Sequence, residues 1–193
     1  PHRQLLIELL ERQTALLEQM ANVVEFTVPP GARITVVGDL HGQFQDLMHI
    51  FRRHGFPCPQ RPYLFNGDFV DRGDCGVEIT LTIFAFQQLY PGSVLLNRGN
   101  HEEKSVHSIY GFLKECTQKY DKEVYEAFNT AFSWLPIGCI INGAVLVMHG
   151  GIDSEVTLDK LRTAPRAQYV VNNSNYGPGT KPGLVHPAMR HKM

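Results

Sequence analysis

From Arg3 to Met20, Leu5, Leu9, Leu16 and Met20 recur at helical spacing, with Leu6, Leu10 and Leu17 beside them and Glu and Arg between. That pattern predicts an amphipathic helix. The stretch VPPGA (28–32) stops any helix and predicts a loop. Beyond it, short apolar runs alternate with helical spacing. RITVVGDLHG (33–42) begins as a β-branched strand and breaks at a glycine, and residues 43–54 return to helical spacing through Phe44, Leu47, Met48 and Phe51. YLFN (63–66) and SVLLN (93–97) predict strands, with an apolar helix over 77–90 between them. Helices are expected over 103–119 and 122–133, ahead of Trp134 and Pro136. Residues 137–151, IGCIINGAVLVMHGG, read as two strands joined by Asn142-Gly143, a two-residue hairpin signal. Alternating strands and helices closed by a hairpin predict an α/β fold with a mixed sheet. Over 169–193 the chain turns rich in Asn, Gly and Pro without periodicity, which predicts an irregular tail behind a domain covering 1–168.

The chain's 193 residues suit one domain with a single core, and 43% hydrophobic with 19% charged residues excludes a disordered or fibrous chain. A net charge of -1 gives no electrostatic case for nucleic acid or an anionic membrane. No apolar run approaches the roughly 20 residues of a membrane span. The first ten residues carry charges throughout and start at Pro1, so no signal peptide is expected and the start is read as that of a fragment or processed chain. Cys58, Cys75, Cys116 and Cys139 are scattered without a CxxC pair, which predicts reduced thiols and a cytoplasmic or nuclear location.

Four polar segments each follow a short apolar strand: GDLHG (38–42), GDFVDRG (67–73), RGNHE (98–102) and HGG (149–151). In open α/β sheets, ligands bind beyond the carboxyl ends of the strands, so these loops are expected to converge. They would bring together Asp39, Asp68, Asp71, His41, His101, His149, Asn100, Arg72 and Arg98. Carboxylate, imidazole and amide oxygen suit Mn²⁺, Fe²⁺ or Zn²⁺, and the lack of a thiolate argues against a structural zinc site. Three clustered acids repel one another unless cations neutralise them. Two ions about 3.5–4 Å apart that clamp a phosphoryl group fit this inventory, and arginine supplies the forked donor for phosphate oxygens.

In this order and spacing, the four segments resemble the signature of the PPP-type serine/threonine protein phosphatases. YLFNGDFVDRG, VEITLTIFAFQQLYPGSVLLNRGNHE, IYGFLKE, WLPIG, INGAVLVMHGGI and VTLDKLR are similar to the branch that holds protein phosphatase 5 and the EF-hand phosphatases. The resemblance covers about residues 2–168. It implies a calcineurin-like metallophosphoesterase sandwich, present mainly as its N-terminal half, and hydrolysis of phosphoserine and phosphothreonine in proteins by a metal-activated water.

Carried onto this chain, the pattern makes Asp39 and His41 ligands of a first metal. Asp68 would bridge two metals, with Asn100 and His149 on the second. His101 would be the acid, oriented by Asp71, and Arg72, with Asn100, would hold phosphate. A further histidine ligand, a second arginine and a tyrosine of the family's second half have no counterpart here; His186 and His191 lie in the tail and are not promoted to ligands. Phosphoprotein substrates, and regulatory domains or subunits, are the partners implied. Two other functions fit the same loops: a catalytically disabled binding or regulatory form, and a metallophosphoesterase of dinucleoside polyphosphates.

Singly, each segment has a plainer reading. HGG alone is a turn, Asp39 could cap helix 43–54, and Asn100 or His101 could cap the next helix. His49, His54, His107 and Trp134 read as packing residues and Tyr110 as a packed aromatic. Arg98 could reach phosphate or form a structural ion pair, and EEK (102–104) reads as a solvated first turn. Only the ordered set carries the metal reading.

Overall fold

The computed structural model describes residues 1–168 and the backbone of 170–171 and 184–185. Two three-stranded sheets face each other. The first is fully parallel, in the order β2 (Thr35–Val37), β3 (Tyr63–Phe65), β4 (Val94–Leu96). Its register places Thr35 beside Tyr63 and Tyr63 beside Val94, so Val37, Phe65 and Leu96 end the strands at one level. The second sheet has the order β1 (Val23–Phe26), β5 (Gly138–Ile141), β6 (Val145–Val147), with β1 parallel and β6 antiparallel to β5.

Strand alternation divides the core. Tyr63, Phe65, Val94, Leu96 and Val37 face the helices and join the larger apolar cluster. Leu64 and Leu95 point the other way and pack with Cys139 and Ile141 between the sheets. The helical side is built by α1 (Arg3–Glu18), α2 (Phe44–His54), α3 (Gly76–Leu89), α4 (Lys104–Tyr110), α5 (Phe112–Lys119) and α6 (Lys122–Ser133). On α1, Leu6, Leu10 and Leu17 are buried at helical spacing. On α6, Val124, Tyr125, Phe128, Ala131 and Phe132 are buried, and Asp121 caps the helix by accepting the Val124 N–H at 3.0 Å. All four cysteines are free. Among the described residues, no helix is long and apolar enough to cross a membrane.

The expected strands and the hairpin are present. Asn142 and Gly143 have φ of 53° and 65°, the pair of positive values that a type I′ turn needs. Three differences have physical causes. The helix expected over 103–119 is two helices, because Gly111, at φ 137°, breaks it between Tyr110 and Phe112. β1 was hidden in ANVVEFTVPP, where four residues give little alternation to read. The six-residue α7 (Leu158–Thr163) is too short for periodicity and is marked mainly by its cap, Thr157. Of the segment 169–193, a short antiparallel pairing of β7 (Val170–Val171) with β8 (Leu184–Val185) is described; His186 and His191 lie outside the described residues.

Candidate active site

Because β2, β3 and β4 end in register, their loops leave the sheet side by side. The loops at 39–42 and 68–73 are zipped together by their backbones: Leu40 and His41 donate to the Asp68 carbonyl at 2.9 and 3.0 Å, and Gly42 donates to Phe69 at 3.0 Å. Glycine permits a closer approach than any side chain would. A Cβ on Gly67 would lie 2.4 Å from the Gly99 nitrogen, and Gly67 has a φ of 85°. His41, Asp68, Asp71 and Arg72 also have positive φ, from 41° to 70°. Strain of this kind costs on the order of 1–3 kcal/mol per residue and persists only where surrounding contacts hold it.

Glu102 supplies much of that hold. Its buried carboxylate accepts the N–H groups of Asp68 and Phe69, both at 2.7 Å, and of Gly99 at 2.9 Å. Asp68 in turn accepts the His101 N–H at 3.0 Å. Burial, with Asp68 next to it, pushes the Glu102 pKa up to about 7. The sequence suggested a solvated first turn here, but Glu102 is fully buried. A carboxylate just after a strand-end Gly-Asn-His was the available signal.

The loop after β6 comes from the other sheet and is tied in by two asparagines. Asn97 donates to the Asn66 side chain at 2.7 Å and to the Val147 carbonyl at 3.0 Å, and Asn66 donates to the Met148 carbonyl at 3.1 Å. This sets His149 beside Asn100 and Asp68.

Three imidazoles are oriented through Nδ1. His41 pairs with the Val70 carbonyl at 2.9 Å, His149 with the Asn66 carbonyl at 2.6 Å and His101 with the Asp71 carboxylate at 2.6 Å. Their Nε2 atoms are thereby left for other partners. His41 Nε2 is buried without a hydrogen-bond partner, lying 3.5 Å from Asp68 Oδ2 and 3.8 Å from Asp39 Oδ2. His149 Nε2 lies 3.3 Å from Asp68 Oδ1 and 3.0 Å from Asn100 Oδ1. Two ligand atoms each about 2.1 Å from one ion sit roughly 3.0–3.4 Å apart, so the shorter of these separations suit shared cations. Asp68 thus turns one oxygen to each histidine. Two potential donor groups result, His41–Asp68–His101 and Asp39–Asp68–His149, with Asp68 common to both. Asp39, half exposed, lies 4.0 Å from His149 Nδ1 and also faces His41 of the first group at 3.8 Å.

Burial lowers the affinity of His149 for a proton, yet the hydrogen bond and charge of Asp68 more than offset it and bring its pKa to about 9. Burial disfavours the Asp68 carboxylate in the same way, and His149 overturns this to hold its pKa below the usual range. The carboxylates therefore draw positive charge into the pocket.

Asp39, Asp68, Arg72, Asn100, His101, Tyr110 and His149 line one cavity of about 330 Å³. His101 stands against Tyr110, ring centroids 5.4 Å apart. Asp71 holds His101 with one oxygen and accepts the Phe112 N–H at 2.9 Å with the other. The break at Gly111 frees that amide and turns Tyr110 outward, 59% exposed rather than packed. Arg98 does not line the cavity: it is buried and donates to the carbonyls of Glu102 at 3.1 Å and Arg166 at 3.2 Å. His107 is buried among Phe112, Tyr125 and Phe132.

This geometry, with one carboxylate shared between two donor groups at the ends of a parallel sheet, accords with the match of residues 32–179 to calcineurin-like phosphoesterases. The chain belongs to that family. Within it, the chain is 47% identical over 167 residues to human serine/threonine-protein phosphatase 5, covering 86% of this chain and 34% of that protein. It is 42% identical over 172 residues to human serine/threonine-protein phosphatase with EF-hands 2, covering 88% and 23%. A solved protein serine/threonine phosphatase from Saccharomyces cerevisiae superposes with a TM-score of 0.84 at 38% identity, covering 86% of this chain and 54% of that one. The chain thus spans about a third of the length of the curated phosphatase 5 relatives it matches.

Proposed function

We propose that this chain carries the metal-binding and acid half of a phosphoserine/phosphothreonine phosphatase site. Asp39, His41, Asp68, Asn100 and His149 would hold two divalent cations, with Mn²⁺, Fe²⁺ and Zn²⁺ the ions that suit their oxygen and imidazole donors. When bound, such cations supply Lewis acidity toward phosphoryl oxygen and water. The reading is supported above all by Asp68, whose two oxygens face two different histidines at 3.5 and 3.3 Å.

The chain's own groups divide the remaining work. Arg72 and Asn100 line the cavity where phosphoryl oxygens would sit and offer them hydrogen bonds. Asp71 fixes the His101 ring through Nδ1, which leaves Nε2 as the atom that delivers a proton to the departing seryl or threonyl oxygen. Asp71 also accepts the Phe112 amide, so the ring's orientation is tied to the start of α5.

The test is hydrolysis of a phosphothreonine peptide in Mn²⁺, for the wild type and for His101→Ala and Asp71→Asn. The reading expects metal-dependent turnover that falls by about 10²–10⁴-fold in His101→Ala, as for loss of a general acid. Asp71→Asn should also slow turnover. Unchanged turnover in both variants would contradict it.

A further inference from the structure

We propose that a second cavity, behind Arg72 and Tyr110, is a subsite for an anionic side chain flanking the phosphorylated residue of a peptide substrate. The proposal rests on the phosphatase reading above and names a feature of its substrates: a carboxylate or second phosphoryl group beside the scissile one.

The two cavities have equal volumes of about 330 Å³ and share a wall, since Arg72 and Tyr110 line both. A peptide with its phosphoryl group beside Asn100 and His101 would meet this shared wall, where Arg72 and Tyr110 are exposed. Beyond it stand Asp74, Lys114, Glu115 and Lys119. Their charges are not equivalent. Lys119 is committed, with its ammonium on the Asp74 carbonyl at 2.5 Å, Glu78 at 2.6 Å and Glu115 at 2.9 Å. Glu115 is buried and turned toward the amides of Gly76 at 3.1 Å and Val77 at 2.8 Å. Arg72 and Lys114 make no ion pair among the described residues. With Arg72 turned to the phosphoryl group, Lys114 is the cation left to meet an anionic side chain in this second cavity.

The wall is also preorganised. Arg72, at φ 68°, donates its N–H to the Tyr110 carbonyl at 3.4 Å, and Gly111 at φ 137° carries the chain from Tyr110 into α5, one turn before Lys114. The backbones of Arg72 and Tyr110 are thereby tied together at the shared wall, with Arg72 available to the phosphoryl group and Lys114 to its neighbour.

The test measures binding by fluorescence anisotropy in Mn²⁺. Its probes are labelled peptides that carry a hydrolysis-resistant phosphonate analogue of phosphoserine, flanked on both sides by Ala, by Asp or by the same phosphonate analogue. The wild type is expected to bind the Asp- and phosphonate-flanked peptides at least fivefold more tightly than the Ala-flanked one. Lys114→Glu should remove that preference and leave the Ala-flanked affinity unchanged, while Lys122→Glu, a charge reversal on α6, should change neither. If one anionic flank is preferred and the other is not, the ligand is that one. Equal affinity for all three peptides, or a preference that survives Lys114→Glu, overturns the subsite alone. Failure to bind any of the peptides overturns the phosphatase reading and the subsite with it.

Discussion

Glu102 and Asp68 clasp each other across 34 positions of the chain. The Glu102 carboxylate accepts the Asp68 N–H at 2.7 Å, and the Asp68 carboxylate accepts the N–H of His101, next to Glu102, at 3.0 Å. Asp68 sits at a φ of 56°, so the clasp holds both its backbone and its side chain in a conformation the chain would otherwise leave.

Glu102→Gln keeps the shape but exchanges one acceptor oxygen for an NH₂ group facing a backbone N–H. The expected result is a 10–100-fold loss of Mn²⁺ affinity, typical for the loss of a group that orients metal ligands. Glu102→Leu leaves three buried N–H groups unpaired and should cost roughly 3 kcal/mol or more in urea unfolding. Isothermal titration and urea melts check both.

Gly67 and Gly31 separate close approach from backbone conformation. Their φ values are similar, 85° and 78°, but a Cβ on Gly67 meets Gly99 at 2.4 Å whereas one on Gly31 meets nothing within 4 Å. Gly31→Ala should cost about 1 kcal/mol, and Gly67→Ala roughly 3 kcal/mol or more with loss of Mn²⁺ binding. Equal costs would mean that the loops at 67 and 99 can part without penalty.

Much of this site was legible in the sequence, because each strand of the parallel sheet ends in a Gly-Asp, Asn-Gly or Asn-Arg-Gly step and the loops carry the chemistry. Register was not legible, although the convergence depends on it. Glu102 was misread since EEK after a strand looks like a wet helix start, and its burial depends on the Asp68 and Phe69 amides, 34 and 33 positions away in sequence. The break at Gly111 was missed because one glycine in an apolar helical pattern costs only about 1 kcal/mol. At the break, Asp71 takes up the Phe112 amide, a contact between residues 41 apart that the local pattern does not show.

Asn97 joins the two sheets at the site. Asn97→Ala removes its bonds to Asn66 and Val147, which position the loop bearing His149, but none to the His41 side. Bound Mn²⁺ should fall from two toward one per chain at fixed free metal, with about 1–2 kcal/mol lost in stability. Metal analysis after equilibrium dialysis reads the first, thermal melting the second.

His107 sets an acid limit. Both of its ring nitrogens lack hydrogen-bond partners. Burial, aided by Arg98 and Lys104 and opposed by Asp71, lowers its pKa from 6.5 to about 4. The folded protein therefore binds this proton less readily than the unfolded chain. The stability at stake is fully present above pH 6.5 and is lost as the pH falls toward 4, by on the order of 3 kcal/mol. Urea melts between pH 7 and 4 should show this slope, and His107→Leu should flatten it.

The central claim is that Asp68 joins two cation sites into one phosphatase centre. The most direct measurement is Mn²⁺ stoichiometry by equilibrium dialysis, with phosphothreonine-peptide turnover followed in the same samples, for the wild type and Asp68→Ala. The account predicts close to two ions per chain with turnover in the wild type, and loss of both in the variant. Two ions and full turnover retained by Asp68→Ala, or no Mn²⁺ bound by the wild type, would contradict it.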